Sequence, residues 1–87
     1  MFHASNLSNT ASNALNALVF AGVISIADAE FITERRGDLE YFETCQAHME
    51  PKAWEAMMIS ADKCAVASFK ERFGPEQGRK LFKIIDY

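Results

Sequence analysis

Residues 50–75, EPKAWEAMMISADKCAVASFKERFGP, decide the fold. Pro51 follows Glu50 at the start of the run, where a first helical turn accepts proline because that amide hydrogen has no intrahelical partner. Gly74-Pro75 closes the run and restarts the chain in a second helix. No glycine or proline falls between these marks. Ile59, Val66, Phe69 and Phe73 recur at three- and four-residue steps as one apolar stripe. Trp54, Met57, Met58, Ala61, Cys64 and Ala65 form a second stripe beside it. A rod of this length spans about 34 Å and, being apolar over so much of its circumference, is expected to be covered by several neighbours.

The same punctuation along the rest of the chain predicts an all-α fold of four to five helices. Ser5 or Ser8 caps a first helix from about Asn6 to Ala21, and Gly22 takes the left-handed position after it. Val23 and Ile24 seal that corner. Ser25 caps a second helix with Asp28 in the capping-box position, and Gly37 is expected to end it after Arg35 and Arg36. Asp38 then caps a third helix to about Met49, the run from Pro51 is the long fourth, and a fifth follows Pro75 to near Ile85. Acids fall early and bases late in most of these segments, as the helix macrodipole favours. No segment alternates with period two, so no strand is expected.

The expected architecture is a single compact helical domain with the fourth helix at its centre. Its core is placed around Ile59, Cys64, Val66 and Phe69, with Leu7, Ala11, Leu15 and Leu18 of the first helix against it. Phe20, Phe31, Phe42 and Phe82 supply bulk between helices. Asn9, Asn13 and Asn16 make an uncharged polar outer face on the first helix.

Composition narrows function more by exclusion than by indication. In 87 residues, 49% hydrophobic and with six glycines and prolines, there is little room for both a core and an enclosed catalytic cavity, and no basis for disorder. Residues 1–27 carry no charged side chain, yet the apolar part from Ala17 to Ala27 is short of a membrane span and lacks a basic flank. Neither a signal peptide nor a membrane segment is therefore expected. Cys45 and Cys64 are too few for a disulfide framework, and reduced thiols in the cytoplasm are the expectation. Cys45 and His48, three apart, with Cys64 and His3 would make a zinc set only if a second tight pair existed, and none does. Without a supported nucleophile, a glycine-rich phosphate loop or paired ligands, no catalytic residue, cofactor or metal is expected.

Charge is the informative feature. The stretch from Asp28 to Asp62 carries a net −6, and Lys63 to Tyr87 a net +3, within an overall −3. Glu30, Glu34, Asp38, Glu40 and Glu43, with Tyr41 beside them, are expected to form an acidic band that docks on a basic surface of a larger protein, with nucleic-acid-handling proteins the foremost candidates. Two other partners are weighed. A second copy of the chain would give a homo-oligomeric module. Direct nucleic-acid contact would fall to Arg72, Arg79, Lys80 and Lys83, but Phe73 and Phe82 among them fit an apolar stripe better than a base-stacking platform. The segment from Asp38 to Met49 is too acidic for a recognition helix. A cluster of Met49, Trp54, Met57 and Met58 is the alternative docking patch, although core packing is the favoured use of it, because Trp54 and Met58 lie on the inward stripe.

The corner Gly22-Val23-Ile24-Ser25 followed by Asp28 resembles helical-hairpin turns of many small domains, short oligomerisation modules among them. The overall profile, small, acidic and without catalytic signatures, is similar to that of phage and plasmid accessory proteins, including anti-CRISPR and other host-takeover inhibitors. That likeness implies a non-enzymatic regulator or inhibitor, and it transfers no functional residue.

Overall fold

The computed structural model describes residues 8–85. They form α1 (Asn9–Phe20), α2 (Ile26–Thr44), a 3-10 turn (Cys45–His48), α3 (Pro51–Phe73) and α4 (Pro75–Ile84). No strand occurs among the described residues, so the all-α expectation holds.

Most boundaries follow from local chemistry. Ser8 is the cap of α1, its Oγ accepting the Ala11 N–H at 3.1 Å, while Ser5, Asn6 and Leu7 lie outside the described residues. Gly22 has φ +74°, and the N–H groups of Gly22 and Val23 donate to the Val19 and Leu18 carbonyls. That pair of bonds closes the helix end only if one residue adopts the left-handed conformation, which glycine does without a side-chain penalty. Ser25 and Asp28 exchange reciprocal capping-box bonds, each 3.0 Å long. Pro51 opens α3, and Gly74, at φ +89°, separates it from Pro75 of α4.

The second and third expected helices are one. α2 runs unbroken through Gly37 and Asp38, and Arg35 and Arg36 sit in its middle rather than its last turn. A lone interior glycine costs a helix only about 1 kcal/mol, too little to end one whose continuation is rewarded elsewhere. Here Leu39 extends the face that buries Ile32, and Asp38 bridges back to Arg35 at 3.0 Å instead of capping. α2 stops at Thr44. The corner after it is fixed by the Trp54 ring N–H, which donates to the Phe42 carbonyl at 3.1 Å.

The core lies further along α3 than the stripes suggest. Phe69 is fully buried, with the rings of Phe31, Phe73 and Phe82 at centroid distances of 5.7, 6.1 and 5.4 Å. Leu15, Ile32, Leu39, Leu81 and Ile85 complete the sealed interior. Of the expected centre, Phe69 alone is buried; Val66 is half-covered, Cys64 is exposed and Ile59 is 57% exposed. The cause is length. α4 has ten residues against the 23 of α3, so it spans about 15 Å of a rod of about 34 Å and covers one end. α1 lies chiefly against α2 and α4. The molecule is consequently elongated, with extents of 44 × 26 × 17 Å, and less compact than the expected bundle.

Two smaller expectations are also corrected. Phe20 is 84% exposed, because it lies about 140° round α1 from the buried Leu15 and so faces away from the core. Asn16 is buried while Asn9 and Asn13 are exposed, so the asparagine face is not uniformly outward. Asn16 Oδ1 and the neighbouring Ser12 Oγ have no hydrogen-bond partner among the described residues.

α4 meets α3 closely at Gly78. A Cβ built there would come within 2.8 Å of Lys70 Cα, Lys70 N and Phe69 C. The approach of two helix backbones, rather than any turn, requires glycine at this position.

Candidate protein-binding surface

Because α2 is one rod, its acids are arranged by a single helical period. At 100° per residue, Glu30, Glu34, Asp38 and Tyr41 fall within an arc of about 80°. All four are exposed, Tyr41 at 67%. Glu40 and Glu43 are also exposed but lie about 120° and 180° from the middle of that arc. The expected band is thus a ridge of three acids and a tyrosine, with two acids apart from it.

Arginines on the same helix partly compensate these charges. Arg35 reaches Asp38 at 3.0 Å and Glu34 at 4.0 Å, and its guanidinium stacks over the Phe31 ring at 5.3 Å. Arg36 lies 4.0 Å from Glu43. Both arginines are only partly exposed, and pairs of this kind are each worth about 1 kcal/mol or less.

A groove runs beside the ridge, between α2 and α3, with a volume of about 500 Å³. Leu39 and Phe42 of α2 and Met57, Ala61 and Ala65 of α3 line its floor, with Arg35, Asp38, Ser60, Cys64 and Ser68 at its margins. Sequence reasoning missed this groove. Its α3 residues were assigned to an interior that α4 is too short to cover, and its α2 residues to two separate helices. From Glu40 to Cys64 no residue is buried, so the far part of the α2–α3 hairpin projects as an arm with its apolar residues half covered. The Met49, Trp54, Met57 and Met58 cluster belongs to this arm; all four are half-buried, neither core nor freely exposed.

At the opposite end of the hairpin, Asp28 ties α2 to α3. Its Oδ2 accepts the Ser25 N–H, and its Oδ1 accepts from Arg72, with Nε and Nη2 each at 3.0 Å. The Ser25 backbone bond foremost, and then Arg72, hold the Asp28 carboxyl below the ordinary aspartate value despite partial desolvation. The Arg72 guanidinium also lies 4.7 Å over the Phe31 ring. These contacts are structural, and they remove Arg72 from the candidate phosphate-binding set.

Arg79, Lys80 and Lys83 of that set are exposed on α4, but Phe82 is buried edge-on against Phe69 and unavailable for stacking. Cys45 and Cys64 are free thiols, and His3 lies outside the described residues. No group of three or more His, Cys, Asp or Glu among the described residues is placed to hold a metal ion. No helix among them is long and apolar enough to cross a membrane. Desolvation by partial burial raises the Asp62 carboxyl above its ordinary value. No family model, curated protein or solved structure matches the chain.

Proposed function

We propose that this chain is a non-enzymatic binding module, a regulator or inhibitor of the phage or plasmid accessory type, that uses α2 to occlude a basic surface of a larger protein. The observation that carries this reading is the ridge of Glu30, Glu34, Asp38 and Tyr41 along one exposed side of a continuous 19-residue helix. Three acids at four-residue steps repel one another when unpartnered, and a basic surface relieves that repulsion. Tyr41 adds amphipathic contact area at the end of the ridge, while Glu40 and Glu43 contribute attraction at longer range. No cofactor enters this reading. A nucleic-acid-handling protein is the favoured kind of target, because phosphate-binding grooves are large and basic.

The test compares capture from lysate of the native host by the wild-type chain and by E30K/E34K, with circular dichroism as the check on folding. A partner retained by the wild type, eluted by salt and lost by the variant is the expected result. Equal retention by both would refute an acidic docking surface. A second reading, a homo-oligomeric module, has one observation in its favour. Phe20, Val23 and Ile26 are all exposed at the α1–α2 corner. Sedimentation equilibrium of the wild type beside Phe20→Ser decides it, a mass that rises with concentration in the wild type alone being the supporting outcome.

A further inference from the structure

We infer that the groove between α2 and α3 binds a small, uncharged molecule with a slender apolar chain and one hydrogen-bond acceptor, of the class of fatty acyl esters and ketones. The inference goes beyond the docking proposed for the ridge and is independent of it, since Glu30 and Glu34 do not line the groove.

Size and lining select a small apolar molecule. A volume of about 500 Å³ falls within the roughly 300–1,000 Å³ of small-molecule sites, which often lie between packed helices. From Met57 to Ser68 the α3 side spans about 16 Å, room for an extended alkyl chain. Five apolar residues make the floor. Leu39 and Ala65 are buried, and Phe42, Met57 and Ala61 are half-buried. None of the five is exposed, so a broad surface laid over the arm touches the margins, whereas a narrow molecule reaches the floor.

The polar margin selects an uncharged molecule and supplies one donor to it. Arg35 and Asp38 are the charged residues of the lining, and they pair with each other at 3.0 Å, leaving no net charge. An ionised ligand would lose hydration there and meet no counter-charge in return. Ser68 is satisfied within the chain, its Oγ donating to the Ala65 carbonyl at 2.8 Å. Arg35 commits Nη2 to Asp38 and Glu34, and its guanidinium stacks over the Phe31 ring. Its Nε–H is buried and has no acceptor among the described residues. An unpaired buried donor costs stability that an acceptor restores, so a ligand carbonyl oxygen complements this group. A helix from another chain would arrive with its carbonyls already paired, and a plain hydrocarbon with none; neither answers Nε–H.

Methyl octanoate is the probe, with octanoate and octylammonium as its anionic and cationic counterparts. The full chain carries methyl-labelled methionine and alanine, and binding is read by nuclear magnetic resonance. The ester is expected to shift the Met57, Ala61 and Ala65 methyl signals saturably, about fivefold more tightly than either ion. In a Cys45→Ser background, bound ester is expected to slow alkylation of the exposed Cys64 thiol by about fivefold. Arg35→Lys keeps the charge beside Asp38 but removes Nε–H, and is expected to weaken ester binding about fivefold. Ser60→Phe adds a ring at an exposed position on the margin, where the fold tolerates it, and is expected to weaken binding by a similar factor. Circular dichroism checks both variants. Shifts that spread over all labelled methyls without saturating, a Cys64 thiol that stays fully reactive, or Ser60→Phe binding like wild type would overturn the groove as the site. Either ion binding as tightly as the ester would overturn the uncharged ligand. Unchanged ester affinity in Arg35→Lys would overturn the acceptor. The acidic ridge stands or falls separately, on the capture experiment with E30K/E34K.

Discussion

Gly78→Ala is the most direct probe of how α4 is held on α3. In an unconstrained helix interior the change stabilises by up to about 1 kcal/mol, since alanine loses less backbone freedom on folding. Here the added methyl would sit 2.8 Å from two backbone atoms of Lys70 and one of Phe69. Ordinary carbon contacts begin near about 3.5 Å, so α4 must retreat by roughly 0.7 Å or more. Backbone cannot yield as a flexible side-chain tip does, and the retreat loosens Leu81, Phe82 and Ile85, all buried on this helix or just after it. Overpacking of this kind costs about 1–3 kcal/mol, towards the upper part of that range when the obstacle is backbone. Set against the propensity gain, the net expectation is a loss of about 1–2 kcal/mol. For a domain of this size that lowers the melting temperature by about 5–15 °C. Thermal and urea unfolding followed at 222 nm would measure it, and a Gly78→Ala protein as stable as wild type would refute the close helix approach.

Gly37→Ala should do the reverse, gaining up to about 1 kcal/mol in the same assays, because Gly37 lies within α2 and is not among the positive-φ glycines. Ser25→Ala should cost about 1 kcal/mol through loss of the α2 cap. Asp28 has a lowered folded pKa, so its stabilisation is present above the unfolded value near 3.9 and is lost as pH falls through the lower folded value; Asp28→Asn should be less stable than wild type at pH 7, with the difference shrinking in acid. Asp62 has the opposite sign. Its folded pKa is raised, so its charge opposes folding above that value, and Asp62→Asn should be more stable than wild type at pH 7 with the gain fading as pH falls through the folded and then the unfolded value.

Features that depend on a few adjacent residues were readable from the chain alone. The turn at Gly22, the Ser25–Asp28 box, Pro51 and the Gly74-Pro75 break each satisfy backbone groups within a residue or two, so composition dictates them. Gly37 shows where that logic stops. Local preference favours a break there by little, and the long-range packing of Ile32 and Leu39 decides against it. Burial along α3 was legible as a capacity, not as an outcome, since an apolar stripe does not reveal how long its covering helix is. The same holds for the binding surface. The acids were apparent, but their division into a ridge and two separated residues needed α2 to be continuous, and the groove needed α4 to be short. Gly78 carried a signal that reading by periodicity passed over: a glycine inside a helical pattern often marks close backbone approach.

The two oxygens of Asp28 have a consequence for motion. One begins α2 and the other grips Arg72 near the end of α3, 44 residues later in the chain. Fraying of the first turn of α2 therefore releases the end of α3, and loosening at Arg72 removes a partner from the carboxylate that starts α2. The two segments should open as one cooperative unit, with amide hydrogens at Ala29 and near Phe73 exchanging at matched rates in native conditions. Asp28→Asn would uncouple them, letting one end exchange faster than the other. The arm beyond Glu40 is held across by the Trp54–Phe42 bond but has no buried residue as far as Cys64, and should exchange earlier than either.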